Sequence, residues 1–399
     1  MRLWSAGLAP LLFLSLINTP SSRAQVIVGT VRPYQLESVH PYPAGDDNHP
    51  VVATQRIVFP GAKFLRLHFT AVSLALGDSL TISTADGSQT LTYTNRGPDN
   101  DGEFWTFALP GESVEVALHA GPYPGYGYRI VEVGVGDVDL SSLTERGEQA
   151  GGGPAEATKC PDFTENVVCH KDDELFWNAQ KPVAYLLFKQ AGSDRMASCT
   201  GWLIEGTKKD TLITNRHCIS DKSQLKSLQA SFNLQTSKCE GDPDAPHPTL
   251  YGAKFPDDGG FFWVSKKDDL DYSLMQLKDS PEEKWGAITP LGRDPEPKDE
   301  IEIPQQPNGL KVVGWYQFDD KKTRCLVGKV FGVISEFTVQ CFLKSGSSGS
   351  PVLTPSGRAV GLARAGSKIP GDCTRLANTM SAICKDAGGE NGYLDCGNP

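Results

Sequence analysis

The chain has 399 residues, 22% of them charged, and a formal net charge of −10. That length suggests two or three domains. The acidity argues against nucleic acid as the main partner, the composition is too apolar for wholesale disorder, and long apolar runs for a multi-span membrane protein are missing.

In chain order, residues 1–24 read as a secretory signal. Arg2 opens it, Leu8 to Ile17 form a short apolar core, and Ser22-Arg23-Ala24 offers a cleavage site before Gln25. The apolar run is far shorter than the ~20 residues of a membrane anchor, the other reading of such a segment, and no later segment is apolar enough to span. Secretion makes disulfides permissible. Residues 25–136 are strand-like. Glu112 to His119 alternates with period two, and Ser79–Ser83, an Ala85-Asp86-Gly87 turn and Thr90–Thr94 form a hairpin signature. Short strands separated by Gly, Asp and Pro suggest a β-sandwich. Residues 137–158, with Gly151-Gly-Gly-Pro154, lack apolar periodicity and read as a linker. Most of the net acidity lies before residue 158, yet the first of ten cysteines is Cys160. The first domain is therefore expected to stand on its sandwich core alone. From 159 to 399 short apolar runs suggest a second all-β domain, with candidate strands Val183–Phe188, Gly201–Glu205, Thr211–Thr214, Ser273–Leu277, Val330–Ser335 and Ala359–Ala363.

Three patterns in the second domain carry chemistry. Cys199-Thr-Gly-Trp-Leu-Ile204 is followed by Thr214-Asn-Arg-His217-Cys218, where a Cys199–Cys218 bridge would pin the histidine segment to the strand before it. Leu270-Asp271-Tyr-Ser-Leu-Met-Gln-Leu277 leads an acid into an alternating strand, although Asp268 and Asp269 compete with Asp271. Gly346-Ser-Ser348-Gly-Ser-Pro351 is a Gly-rich turn bearing serines. Each alone reads as well as a structural residue or turn. Together they supply a nucleophile, a base, an acid that orients the base, and backbone N–H groups for an oxyanion.

On these residues the second domain resembles a trypsin-like serine protease of the chymotrypsin fold, nearest the lysyl endopeptidase kind. Lys159-Cys160…Val167-Val168-Cys169 and Ile303-Pro-Gln-Gln-Pro307, which resembles an Ile-x-His-His-Pro stretch of that family, extend the match over roughly residues 159–375. The resemblance implies a double β-barrel with Ser348 as nucleophile, His217 as base, Asp271 as its orienting acid, and the N–H groups of Gly346 and Ser348 as oxyanion hole. Ser347 precedes the nucleophile where animal trypsins carry Asp, so their N-terminal ion-pair activation is excluded, and cleavage within Glu145–Lys159 is an alternative. The family's lysine-reading carboxylate would fall at Ala382, flanked by Asp372 and Asp386. Arg364, in a wall segment ending at Gly366, sits near where a pocket histidine would be. It would repel a basic substrate side chain unless a carboxylate pairs it. Arg364, Gly366 and Asp372 are the candidate pocket residues, and basic, acidic and apolar P1 residues all stay open. The resemblance also implies Cys169–Cys239 and Cys160–Cys373 bridges, leaving Cys325–Cys341 and Cys384–Cys396 as local ties.

With Ser38-Val-His-Pro-Tyr42, Phe59-Pro-Gly-Ala62, Leu67-His-Phe69, Gly77-Asp78 and Phe104-Trp105, the first domain resembles a CUB-type sandwich, without CUB disulfides, and the resemblance implies a protein or glycan ligand. Tyr123, Tyr126 and Tyr128 would either stack on a sugar or pack their own loop. Asp78, Asp86, Asp99, Asp101 and Glu103 would serve turns and solvated charge or ligate calcium. Neither a cofactor nor a metal is expected: no Cys-x2-Cys pair occurs and secretion disfavours free thiolates. The expectation is a secreted serine endopeptidase acting on protein or peptide substrates, possessing an N-terminal sandwich module. The alternative is a catalytically silent binding or decoy protein on the same fold.

Overall fold

The computed structural model describes residues 25–46, 50–139, 163–240, 252–256, 260–307, 309–317, 320–332, 335–364, 375–388, 392–394 and 396. The expected leader, almost all of the expected linker, Cys160, Cys373, Gly366 and Asp372 lie outside the described residues. The fold is all-β. The longest helix among the described residues is Met380–Gly388.

The N-terminal part is a sandwich. One sheet orders Val51–Val58, Ser113–His119, Ser79–Thr84 and Thr90–Thr94 side by side. The hairpin pairs Leu80 with Tyr93 and turns at Gly87, whose φ of 71° suits glycine. Facing it are Val26–Glu37, Gly127–Gly136, Phe64–Ser73 and Phe104–Trp105. Alternate residues of both sheets, including Ile57, Leu65, Leu67, Leu80, Val116 and Ile130, fill the core between them.

The second face of that sheet is buried as well. Val26–Glu37 pairs antiparallel with Gly127–Gly136 on one side and with Arg195–Leu203 on the other, Val26 opposite Ser198. One continuous sheet thus runs from the sandwich into the C-terminal part. Val28, Val31, Phe64 and Trp105 pack on Tyr185, Leu187, Met196 and Leu234. Lys189–Glu132 at 2.6 Å, Lys226–Glu103 at 3.2 Å and the Lys278–Asp99 pair cross the same seam. Support from the sandwich core alone is therefore corrected. The reason is Arg66: it occupies the outward position between Leu65 and Leu67, where a charge reads as solvent-facing, yet it is fully buried. Its Nε donates to the Thr106 carbonyl at 3.0 Å.

The C-terminal part has two strand systems. The first joins Val183–Lys189, Arg195–Leu203, Thr211–Thr214, Gln229–Ser231, Phe262–Val264 and Ser273–Gln276 around Leu186, Phe188, Leu212, Phe232 and Met275. The second joins Val327–Phe331, Glu336–Val339, Arg375–Thr379, Ala359–Arg364 and Pro351–Leu353 around Val327, Phe337, Val352 and Ala377. A third cluster, with Trp202, Ile213 and Leu274 from the first, Leu353 and Leu362 from the second and Met380 from the helix that follows, welds them. Two strand expectations shift. Arg195–Leu203 begins well before Gly201, because buried residues on both faces leave no alternation to read. The run Val330–Ser335 instead straddles a hairpin, with Gly332 and the left-handed Ser335 (φ 52°) at its turn.

Candidate active site

Thr211–Thr214 and Ser273–Gln276 pair so that Thr214 lies opposite Ser273. Beyond that last pair the two chains run on side by side, which brings His217 next to Asp271 rather than next to Asp268 or Asp269. The Asp271 carboxylate accepts the His217 backbone N–H at Oδ1 (2.9 Å) and meets the His217 Nδ1 at Oδ2 (2.5 Å). Two asparagines fix its backbone: Asn215 Nδ2 donates to the Asp271 carbonyl at 2.8 Å, and Asn378 Oδ1 accepts its N–H at 3.2 Å. Burial alone would raise the Asp271 carboxyl. The hydrogen bond and charge of His217, the charge of Arg364 and the His217 N–H outweigh it and hold the group at about 2. Asp271 is thus ionised at neutral pH, and it orients the ring so that Nε2 is the atom turned away from it. Nε2 is buried with no hydrogen-bond partner among the described residues.

Ser348 arrives on a turn that requires glycine on both sides. Gly346 has φ 92°, and a Cβ there would stand 2.2 Å from the Pro307 carbonyl oxygen. Gly349 has φ 90°, and its Cβ would meet the Thr200 carbonyl oxygen at 2.1 Å. Thr200 ties the turn to the histidine. Its N–H donates to the Ser348 carbonyl at 2.9 Å and its Oγ1 donates to the Gly346 carbonyl at 3.1 Å. Its neighbour Cys199 is disulfide-bonded to Cys218, next to His217. Ser347 bonds through Oγ to Gln305 Oε1, which also accepts the Lys344 N–H at 3.1 Å. The Gln-Gln stretch thus clamps the serine turn from beneath, and Gln306 N–H donates to Thr200 Oγ1 at 3.1 Å. The backbone of the Ser348 turn is thus tied to the histidine segment where the two strand systems meet, with Cys218 Sγ 3.9 Å from the Ser348 carbonyl oxygen, and both Ser347 and Ser348 are fully buried.

Arg364 ends the strand Ala359–Arg364, with Nε 3.2 Å from Asp271 Oδ2 and Nη1 paired with Glu336. It is held by carboxylates rather than standing free in a pocket. Asp386 accepts the Tyr272 hydroxyl at 2.7 Å and pairs with Lys267 at 3.1 Å. Cys169–Cys239, Cys325–Cys341 and Cys384–Cys396 are bonded. The sulfurs of Cys199 and Cys218 lie near the His217 ring but are spent on each other, so that cluster offers no thiolate. In the sandwich, Tyr128 is buried, while Tyr123 and Tyr126 are 72% and 46% exposed. Tyr126 stacks on His40 with ring centroids 4.2 Å apart. Asp78 is buried and takes the Tyr42 hydroxyl and the Gly121 N–H, whereas Asp86 and Asp101 accept from turn residues.

Sequence reasoning missed Thr200, Asn215, Gln305, Glu336 and Asn378. Asn215 and Thr200 lie inside recognised motifs and were readable as candidates. Asn378 and Glu336 have no local signal, since strand pairing alone brings them to Asp271 and Arg364.

Residues 156–375 match the family model described as lysyl endopeptidase, C-terminal domain. The secreted RxLR effector protein 73 of Plasmopara viticola is 27% identical over 314 residues, covering 75% of this chain and 73% of that protein. Among solved structures, the active form of the Rv3671c protease from M. tuberculosis is 12% identical with a TM-score of 0.40, covering 63% of this chain and 96% of that one. A Glu endopeptidase in complex with MPD is 17% identical with a TM-score of 0.37, covering 51% and 86%.

Proposed function

We propose that this chain, which belongs to the lysyl endopeptidase C-terminal domain family, is a secreted serine endopeptidase cleaving protein or peptide substrates. The observation that carries the reading is the His217–Asp271 contact at 2.5 Å beside the Ser348 turn, with Nε2 turned away from the acid and unpartnered. In this reading the Ser348 hydroxyl attacks the scissile carbonyl carbon and its proton passes to His217 Nε2. The N–H groups of Gly346 and Ser348 take the charge that develops on the carbonyl oxygen. Collapse breaks the C–N bond, His217 returns the proton to the leaving amine, and water then hydrolyses the acyl-enzyme by the same route. Asp271 keeps the imidazole in one tautomer throughout. The leader read in residues 1–24 and the four disulfides among the described residues support an extracellular setting. The family description, lysyl endopeptidase, supports cleavage after Lys, and the pairing of Arg364 with carboxylates removes the repulsion that a free cation would impose. The sandwich, CUB-like in sequence, would serve as a module for a protein or glycan ligand, with Tyr123 and Tyr126 as its exposed aromatics.

A second reading, a silent binding or decoy protein, is favoured by the complete burial of Ser348 and by the similarity to a secreted effector. A fluorophosphonate probe with a mixed-peptide cleavage assay separates the two. The endopeptidase should label at Ser348 and cleave, and Ser348→Ala should abolish labelling and cut the rate by about 10⁴- to 10⁶-fold. Folded wild-type protein that neither labels nor cleaves would establish the silent reading.

A further inference from the structure

Asp271 offers one carboxylate to two neighbours. Its Oδ2 meets the His217 Nδ1 at 2.5 Å and lies 3.2 Å from Arg364 Nε. The far side of that guanidinium is held by Glu336 through Nη1. Both acids are nearly sealed from water, with side-chain exposures of 6% for Asp271 and 3% for Glu336. Two carboxylates and one guanidinium leave a single net negative charge facing the imidazole. This is the charge of a lone aspartate, but it is pinned from behind by a planar fork that reaches two carboxylates at once.

The two outer groups act on the imidazole with opposite sign. A guanidinium this close to Asp271 opposes a second cation on His217, and the Glu336 charge damps that opposition. We propose that Arg364 is a positioning residue for the Asp271–His217 pair, and that Glu336 sets how strongly its charge is felt, so that the pair tunes the pH at which His217 takes up a proton. This rests on the endopeptidase reading. It also assigns Arg364 Nε and Nη1 to protein carboxylates instead of substrate.

Other charged and titratable groups lie on the elements around the crossing. Arg216, on the histidine turn, donates to the Ser265 and Lys267 carbonyls at 3.0 Å. Asp268, Asp269 and Tyr272 flank Asp271 in sequence. Lys267 pairs with Asp386 on the helix Met380–Gly388, and the Tyr272 hydroxyl donates to the same carboxylate. Arg375 opens the strand beside Arg364. These groups are common to every variant compared, so the differences between variants report on Arg364 and Glu336.

The test is a pH titration of the ¹³C-labelled His217 ring by NMR in the full chain, run beside the acidic limb of kcat/KM on a fluorogenic peptide. Arg364→Gln should raise the His217 midpoint by about one pH unit, tenfold in proton affinity, and Arg364→Lys by a smaller amount in the same direction. Glu336→Gln should lower it by about half a unit. A merely structural role would not give opposite signs. Near-UV circular dichroism checks folding; if Arg364→Gln fails it, the Lys variant and Glu336→Gln still carry the comparison. Shifts of the same sign, or none above about 0.2 unit, would overturn the proposal. Opposite shifts in a protein without hydrolysis would overturn the endopeptidase reading and still support the roles of Arg364 and Glu336.

Discussion

The crossing at His217 and the seam between the sandwich and the C-terminal part are both buried, but they are built differently. At the crossing, ionised and polar groups are matched: Asp271 faces the His217 ring and the Arg364 guanidinium, and Arg364 faces Glu336. The segments are short and pinned by the Cys199–Cys218 bond. In the seam, apolar side chains and three ion pairs make the contact, and two buried cations lean on carbonyls. Arg66 donates to Thr106, and Lys254 donates to the Trp105 carbonyl. Burial holds the Arg66 guanidinium down at about 9 and the Lys254 ammonium at about 7, the latter aided by the charges of Arg66 and Lys278. The crossing is organised for fixed geometry. The seam is organised for adhesion, with apolar packing set against the desolvation of two cations.

Three changes sharpen that contrast. The largest effect is expected at the seam, where Trp105→Ala removes its central anchor and should cost about 3–5 kcal/mol. After a protease cut engineered within residues 145–159, the wild-type halves should still co-elute on size exclusion, whereas the variant's halves should part. Wild-type halves that separate on cutting would show that the seam is weak. Next comes the crossing. Replacing Cys199 and Cys218 together by Ala opens a bridge across 19 residues and should cost about 3 kcal/mol in thermal unfolding. It should lower fluorophosphonate labelling even below the melting range, because His217 loses its tether; unchanged labelling would deny the bridge any part in placing the histidine.

The smallest effect concerns Lys254. A lysine whose folded-state value lies below its unfolded one costs stability wherever the unfolded chain holds the proton. That cost is complete below about pH 7 and fades as pH rises toward the ordinary lysine range near ~10.4. Lys254→Met should therefore raise Tm at pH 6.5 by about 2 °C and by less at pH 9. An equal gain at both values would mean that the cation carries no such cost.

Much of the crossing was legible in the sequence because its chemistry needs particular residues at short range. His217 sits beside a cysteine, Asp271 opens an alternating strand, and Ser348 lies between two glycines. The sandwich hairpin was legible for a similar reason, since Asp86-Gly87 and period-two alternation are local signals. What stayed hidden depends on long-range pairing. Arg66 alternates as an exposed residue should, and only the arrival of strands more than a hundred residues later buries it. Asp99 and Glu103 read as turn or calcium acids, and their lysine partners Lys278 and Lys226 lie in the other half of the chain. Arg364 was readable as either a pocket cation or a paired one. Glu336 supplies the pairing through strand register, which spacing does not encode.

The shared sheet has a consequence for the order of assembly. Val26, near the start of the first strand, finds its partner Ser198 roughly 170 residues later. During synthesis that strand can pair with Gly127–Gly136 but must hold an unpaired apolar edge until Arg195–Leu203 has been made. A contact of such high sequence separation pays its loop-closure entropy before it gains any stability, so it slows folding and prolongs exposure of an aggregation-prone edge. A strand made early is thus among the last to be satisfied, and closing the seam is a late event in the folding of the chain.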